Sequence, residues 1–279
     1  MELIDLHCHT TASDGIYKPC AIIDYAIEHG VKILAITDHD TIDGLDEALC
    51  YARQKSFTLV PGIEFSIEYP HGSFHLVGMG IDHSNEELKR ELSHLQKLRK
   101  DRIYKIINDL QVHGIDISDK EVEQEAVGNS PGRPHVARVL VKKGYASDVK
   151  DVFVNFMVKG KPGYVKKDKI TFYKAIQLIK DSGGIPIVAH PISLGFGSWA
   201  EGESLIKDFF DGGIQGIEVY SAMHSDDDVE QFLAIAKKYS LLISGGSDFH
   251  GDKQEVMGYY ADGKPIPFEI GQQFLKVLR

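Results

Sequence analysis

Short apolar runs rich in β-branched residues and bounded by turn residues recur along the chain, and each reads as a buried strand. Seven stand out: Leu3 to Leu6, Ile33 to Thr37, Thr58 to Ile63, Phe74 to Met79, Ile185 to Ala189, Gly216 to Tyr220 and Leu241 to Ser244. Between most of them lies one amphipathic helical stretch. Pro19 to His29 ends at Gly30, and Asp227 to Tyr239 carries Val229, Phe232, Leu233 and Ala236 at helical spacing. Strands alternating with helices predict an α/β fold with a parallel sheet, open or closed. More than a hundred residues separate the starts of the Phe74 and Ile185 runs, too many for a single crossover. The intervening chain opens with a long helical stretch, Asn85 to His113, striped by Leu88, Leu92, Leu95, Leu98, Ile103, Ile106, Ile107 and Leu110, and continues in shorter helical pieces to about Lys169. The predicted organisation is one discontinuous barrel-like domain, residues 1–84 with 170–279, and a small helical insert or lid, residues 85–169.

Composition narrows the setting. With 43% hydrophobic and 26% charged residues and no apolar run near the roughly 20 residues that span a bilayer, a soluble protein is expected. The strand-like Glu2 to His7 follows Met1 directly, with no secretory pattern, so a cytoplasmic location is expected. Three cysteines, Cys8, Cys20 and Cys50, form no disulfide or zinc framework and read as small buried hydrophobes. A net charge of −10 argues against a nonspecific nucleic-acid coat. Its distribution matters more: from Arg133 to Lys169 ten Lys or Arg stand against three acids, a local balance of +7, so the second half of the insert is suited to an anion.

The candidate chemistry lies at the strand ends. In Asp5-Leu6-His7-Cys8-His9 the alternation of a strand turns His7 and His9 to one side. That pair is a weak signal alone, but the second strand ends Thr37-Asp38-His39-Asp40, the third ends near Gly62-Ile63-Glu64, the fourth begins with His75, the fifth ends Ala189-His190-Pro191 and the seventh ends Ser247-Asp248-Phe249-His250. In α/β barrels the C-terminal strand ends assemble the active site. With Asp14 in the loop after the first strand, six histidines (7, 9, 39, 75, 190, 250) and three carboxylates (14, 64, 248) are candidate metal ligands. Imidazole with carboxylate suits Zn, Mn or Fe, and nine ligands exceed what one ion needs, so two to three divalent metals are expected, with Glu64 free to bridge. Such ions generate hydroxide near neutral pH and neutralise phosphoryl charge.

Together the Asp-Leu-His-Cys-His opening, Thr-Asp-His-Asp, Gly-Ile-Glu, His75, Ala-His-Pro and Ser-Asp-Phe-His resemble, in order and over the whole chain, the polymerase and histidinol phosphatase (PHP) superfamily. The resemblance implies a distorted (β/α)7 TIM-like barrel and a trinuclear metal site: His7, His9, Glu64 and Asp248 on one ion, Glu64, His75 and His190 on a second, Asp14, His39 and His250 on a third. Asp5 and Asp38 are expected to orient ligating imidazoles through their free ring nitrogen. The insert, with Gly132-Arg133-Pro134-His135-Val136-Ala137-Arg138 and Gly160-Lys161-Pro162-Gly163-Tyr164-Val165, is similar to the branch holding nucleoside 3′,5′-bisphosphate phosphatases and the 5′-to-3′ exoribonuclease RNase AM. Arg133, His135, Lys161 and Tyr164 are therefore candidate substrate or phosphate contacts, while Arg138 reads equally as the partner of a nearby acid.

The expected function is an enzyme, a hydrolase acting on phosphoric ester bonds, in which a metal-bound hydroxide attacks and no separate protein nucleophile is needed. Its substrate is a phosphorylated small molecule, a nucleoside 3′,5′-bisphosphate losing its 3′-phosphate, with 5′-3′ exonuclease action on short RNA or DNA oligonucleotides as the alternative. No membrane and no obligate protein partner are implied. An amidohydrolase also opens with His-x-His, but no well-placed lysine for a bridging carbamate is visible here. A non-catalytic metal-stabilised binding module predicts gaps in the ligand set, and none is found.

Overall fold

A computed structural model describes residues 2–126, 131–166, 168–251 and 255–278, so that Lys167 of the basic run lies outside the described residues. All seven apolar runs are strands, and in chain order the elements are β1 (Leu3–Cys8), α1 (Pro19–Glu28), β2 (Val31–Ile36), α2 (Leu45–Gln54), β3 (Thr58–Ser66), β4 (His75–Met79), α3 (Glu86–Val112), α4 (Asp119–Ala126), α5 (Arg133–Lys142), α6 (Val149–Phe156), α7 (Phe172–Asp181), β5 (Ile185–Val188), α8 (Trp199–Asp211), β6 (Gly216–Ser221), α9 (Asp226–Tyr239), β7 (Leu242–Gly246) and α10 (Phe268–Val277). The α9 boundary shows why the pattern was legible. Ser225 accepts from the Asp228 N–H while Asp228 accepts from the Ser225 N–H, and Lys237 and Lys238 stand in the last turn, so both ends of the helix are satisfied by its own sequence. Among the described residues no helix is long and apolar enough to cross a membrane.

The strands form one sheet in the order β1 to β7. An all-parallel sheet was the expectation from alternation, and this needs correction: β4 pairs antiparallel with both β3 and β5. The reason is local. No helix separates β3 from β4, only the turn-rich stretch 67–74, and so short a connection brings the chain back alongside the strand it has just left. Beyond the ends of the outer strands Phe249 and Cys8 pair in parallel, with the His9 N–H donating to the Phe249 carbonyl at 2.9 Å, and the sheet is nearly closed into a barrel.

The chain divides into two compact units, residues 1–90 with 170–279, and residues 91–169. Each has its own apolar core. In the first, Ile4 and Leu6 of β1, Ile33 and Ala35 of β2, Val77 and Met79 of β4 and Ile185 and Ile187 of β5 are buried with Ile270 and Phe274 of α10. In the second, Ile103, Ile106, Ile107 and Leu110 of the α3 stripe meet Val122, Val136, Leu140 and Val152. The cysteines depart from expectation: Cys8 is buried, but Cys20 is half-buried and Cys50 exposed, because α1 and α2 each turn a polar face outward there.

Close approach of β7 to β1 is set by one residue. A Cβ on Gly246 would lie 2.2 Å from the His7 Cβ and 2.6 Å from its backbone nitrogen. Gly246→Ala must therefore push two strands apart, and is expected to lower stability by about 1–3 kcal/mol. Thermal or urea unfolding checks this, and an unchanged midpoint would show that the approach is not constrained.

Candidate metal centre

The rim formed by the C-terminal ends of the parallel strands collects the polar residues of the first unit. Because β4 runs the other way, its first residue, His75, reaches the same rim that the other strands reach with their last. His7 and Glu64 lie within β1 and β3, and His9, His39, His190, Asp248 and His250 follow their strands by a few residues. All nine candidate ligands are brought together. Glu64 is fully buried and stands at the centre, with Oε1 3.3 Å from His7 Nε2, 3.0 Å from His75 Nδ1 and 3.1 Å from His190 Nε2. Its Oε2 lies 3.3 Å from His9 Nε2 and 2.8 Å from His39 Nδ1.

Three groups of donor atoms converge closely enough to share an ion: His7, His9, Glu64 and Asp248; His9, Asp14, His39 and His250; and His39, Glu64 and His75. Around the last, His190 Nε2 is also 3.4 Å from His75 Nδ1. The buried atoms His7 Nε2, His39 Nδ1 and Glu64 Oε2 have contact neighbours but make no hydrogen bond. Buried polar atoms are nearly always hydrogen-bonded, so lone pairs left facing a common space fit the donor set a divalent cation requires.

Charge tells the same story. Burial opposes ionisation of His7, yet the carboxylates of Glu64, Glu218 and Asp248 outweigh it and hold the imidazole well above its usual range. For His39 burial likewise opposes the charge, and Glu64 and Asp14 prevail, raising it to about 9; for His250, Asp14 and Asp248 do the same, also to about 9. Burial would raise Glu64 and Asp248, but the surrounding histidines hold both far below the carboxylate range. Three residues of the rim take positive φ: Asp40 at 52°, His190 at 24° and Asp248 at 55°. Such non-glycine conformations cost about 1–3 kcal/mol each and persist where surroundings over-determine them.

The ring nitrogens are oriented by residues other than those expected. Asp5 and Asp38 are buried close by, but neither reaches an imidazole. Asp5 accepts from the backbone N–H groups of His7, Ser247 and Gly258 and from the Ser247 hydroxyl. Burial lifts its carboxyl to about 6 against these four donors. Asp38 accepts from the Thr10 N–H and hydroxyl at 2.7 Å and from Ser13, tying down the loop after β1. Sequence adjacency to a histidine does not fix which atoms meet. Instead His7 Nδ1 donates to Glu218, His250 Nδ1 to the Asp248 carbonyl at 2.8 Å, and His190 Nδ1 to Ser193 Oγ at 2.9 Å, whose own hydrogen goes to the Ser73 carbonyl. Glu218 and Ser193 carried no motif and were missed. Of the histidines without strand-end company, His224 is buried and donates from Nδ1 to the Val219 carbonyl, and His83 pairs with Asp46 at 2.9 Å.

Arg133, His135, Lys161 and Tyr164 belong to the second unit. Half-buried Arg133 stacks over Phe153, 5.2 Å from its centroid, and His135 Nδ1 accepts from the Gly132 N–H at 2.9 Å, capping α5. Lys161 is exposed, and Tyr164, 38% exposed, lines a cleft of about 630 Å³ with Tyr104, Lys105, Asn108 and Lys166. Arg138 pairs with Glu125 at 3.0 Å. Two further arginines, overlooked because α3 was read from its leucine stripe, join Arg133. The Arg102 guanidinium, donating to the Val165 carbonyl at 2.8 Å, is pushed down to about 10 by burial and by Arg133 and Arg99, with Tyr164 and Asp168 opposing. The Arg99–Arg102 spacing, one helical turn apart, was the available signal.

Comparison with known proteins agrees with this architecture. The family model described as "PHP domain" matches residues 5–181. The chain is 35% identical over 269 residues, 95% of its length and 94% of the other's, to a 3′,5′-nucleoside bisphosphate phosphatase of Chromobacterium violaceum. It is 35% identical over 247 residues, 88% of its length and 89% of the other's, to a 5′-3′ exoribonuclease of Haemophilus influenzae. A solved structure from Bifidobacterium adolescentis, assigned as a metal-dependent phosphoesterase, superimposes with a TM-score of 0.83 at 25% identity, covering 99% of this chain and 96% of that one. The chain belongs to the PHP domain family.

Proposed function

We propose that the chain is a metal-dependent phosphoesterase that removes the 3′-phosphate of a nucleoside 3′,5′-bisphosphate. The observation that carries the reading is the buried Glu64 carboxylate ringed by five imidazoles, with three buried donor atoms left without hydrogen bonds. Full-length similarity to a phosphatase of that specificity supports the substrate class. Exoribonuclease relatives favour a second reading, stepwise 5′-to-3′ trimming of short oligonucleotides.

His7, His9, Glu64 and Asp248 would hold one ion, Glu64, His75 and His190 a second, and Asp14, His39 and His250 a third, with Mn, Zn or Fe suited to these donors. Divalent ions held there would supply an activated water and offset charge on a phosphoryl oxygen. The chain's own residues do the rest. Acceptors on Nδ1 of His7, His190 and His250 leave Nε2 as the coordinating atom of each. In the second unit the Arg99, Arg102 and Arg133 guanidiniums, mutually repelling and half-buried, are suited to hold a phosphate group.

Protein reconstituted with manganese is expected to release phosphate from adenosine 3′,5′-bisphosphate in preference to 5′-AMP and histidinol phosphate, and His190→Ala to lower the rate at least about 100-fold. Stepwise shortening of a 5′-phosphorylated RNA with the bisphosphate untouched would favour the second reading, and no release from any of them would overturn both. Arg133→Ala is expected to raise KM for the bisphosphate about tenfold or more while kcat changes little, as loss of one charge-assisted hydrogen bond requires; an unchanged KM excludes the anchor.

Loading is also linked to protons. Ligands with raised folded-state values must deprotonate before they coordinate, so manganese affinity measured by titration calorimetry is expected to rise from pH 6.5 to about 9, where His39 and His250 titrate. The metal-free protein behaves oppositely. Histidines raised above 6.5 stabilise it below that pH, and the stability is lost as pH climbs through about 9. Flat profiles in both experiments would contradict the charge balance described above.

A further inference from the structure

Glu218 lies within β6, 2% exposed, and belongs to none of the donor groups that converge on a common ion. Both of its oxygens are committed. Oε1 accepts from His7 Nδ1 at 3.1 Å, and Oε2 accepts from the His190 backbone N–H at 2.6 Å. His7 and His190 stack with ring centroids 5.6 Å apart and both face Glu64 Oε1, but each has its own company, His7 with His9 and Asp248, His190 with His75. One carboxylate therefore grips two candidate ligands of neighbouring subsites. We infer that Glu218 is a positioning residue that fixes the tautomer of His7 and the strained backbone of His190, and so sets the affinity of two metal subsites at once.

The chemistry is directional. A carboxylate only accepts, so His7 Nδ1 must carry the hydrogen, and once the ring is neutral, as a metal ligand must be, its lone pair is left on Nε2. That nitrogen is the one lying 3.3 Å from Glu64 and 3.4 Å from Asp248 without a hydrogen bond. At His190 the second oxygen restrains a residue held at φ 24°, whose ring is fixed independently by Ser193. Replacing the carboxylate by an amide of the same shape separates these roles. In Glu218→Gln the amide oxygen can serve the His190 N–H, but its NH2 then faces His7 Nδ1. That favours the tautomer protonated on Nε2, which has no lone pair there for an ion. Glu218→Asp keeps two accepting oxygens and with them the correct tautomer.

The inference rests on the metal-binding part of the proposed function, and the test separates the two. Manganese would be titrated calorimetrically into metal-free wild type, Glu218→Gln and Glu218→Asp, with circular dichroism and thermal unfolding of each metal-free form. The expected result is a cooperative fold in all three, affinity about 10–100-fold weaker in Glu218→Gln, and partial recovery in Glu218→Asp. Manganese binding by wild type with unchanged affinity in Glu218→Gln overturns the role of Glu218 and leaves the phosphoesterase reading intact. No binding by wild type defeats the metal reading itself. Should Glu218→Gln fail to fold, nitrogen-15 spectra of zinc-loaded wild type decide the matter: a His7 Nδ1 bearing a slowly exchanging proton supports the inference, and an unprotonated Nδ1 overturns it.

Discussion

A carboxylate with no exposed surface, surrounded by imidazoles, governs the first unit. Ionised Glu64 cannot be buried without compensation, since an isolated charge in a protein interior is prohibitively costly. Five histidines from four strand ends supply that compensation, and supplying it requires β1, β2, β4 and β5 to reach the same rim. The inverted β4, the bare Gly246 and the left-handed backbones of His190 and Asp248 all help to bring so many side chains to one point. Without a cation, protons favoured on His7, His39 and His190 offset the carboxylate while burial disfavours them on His9 and His75; with one, the same negative charge is an affinity for metal. A single electrostatic imbalance thus ties the packing of the barrel rim to its chemistry.

Much of this was legible in the sequence, for physical reasons. Two-sided burial makes strands read as continuous apolar runs, and a histidine or acid immediately after such a run is conspicuous. Strand direction was not legible, because an apolar run looks the same from either end and only the brevity of the 67–74 connection reveals the reversal of β4. Glu218 was hidden for a related reason: it interrupts no motif, and a lone acid within an apolar strand announces only that something must neutralise it. Asp5 and Asp38 show the opposite error. Their neighbours in sequence are ligands, yet the donors that face them are backbone amides and hydroxyls from loops that meet only in the folded chain.

The second unit was read by charge, and charge counted along a chain blurs geometry. The basic run after Arg133 attracted notice, whereas Arg99 and Arg102 sat in a helix whose leucines were the louder signal. The depressed guanidinium value of Arg102 reflects burial beside Arg133 and Arg99. Half-buried cations held together in this way are suited to a multivalent anion, and such an anion relieves the repulsion it finds.

The pairing of Met79 with Ile185 has a kinetic side. These neighbours in the sheet are about a hundred residues apart in sequence, so the β4–β5 ladder closes by far the longest loop between strands consecutive in the chain. Loop-closure entropy grows only slowly with length, by about 0.6 kcal/mol per doubling, but contacts of such separation slow the search for the native topology. A second unit with its own apolar core can condense first, shortening the effective loop before the ladder forms. The position of the insert thereby links the two units in folding: condensation of the helical unit shortens the loop that β4 and β5 must close, and the histidine rim needs both strands in place.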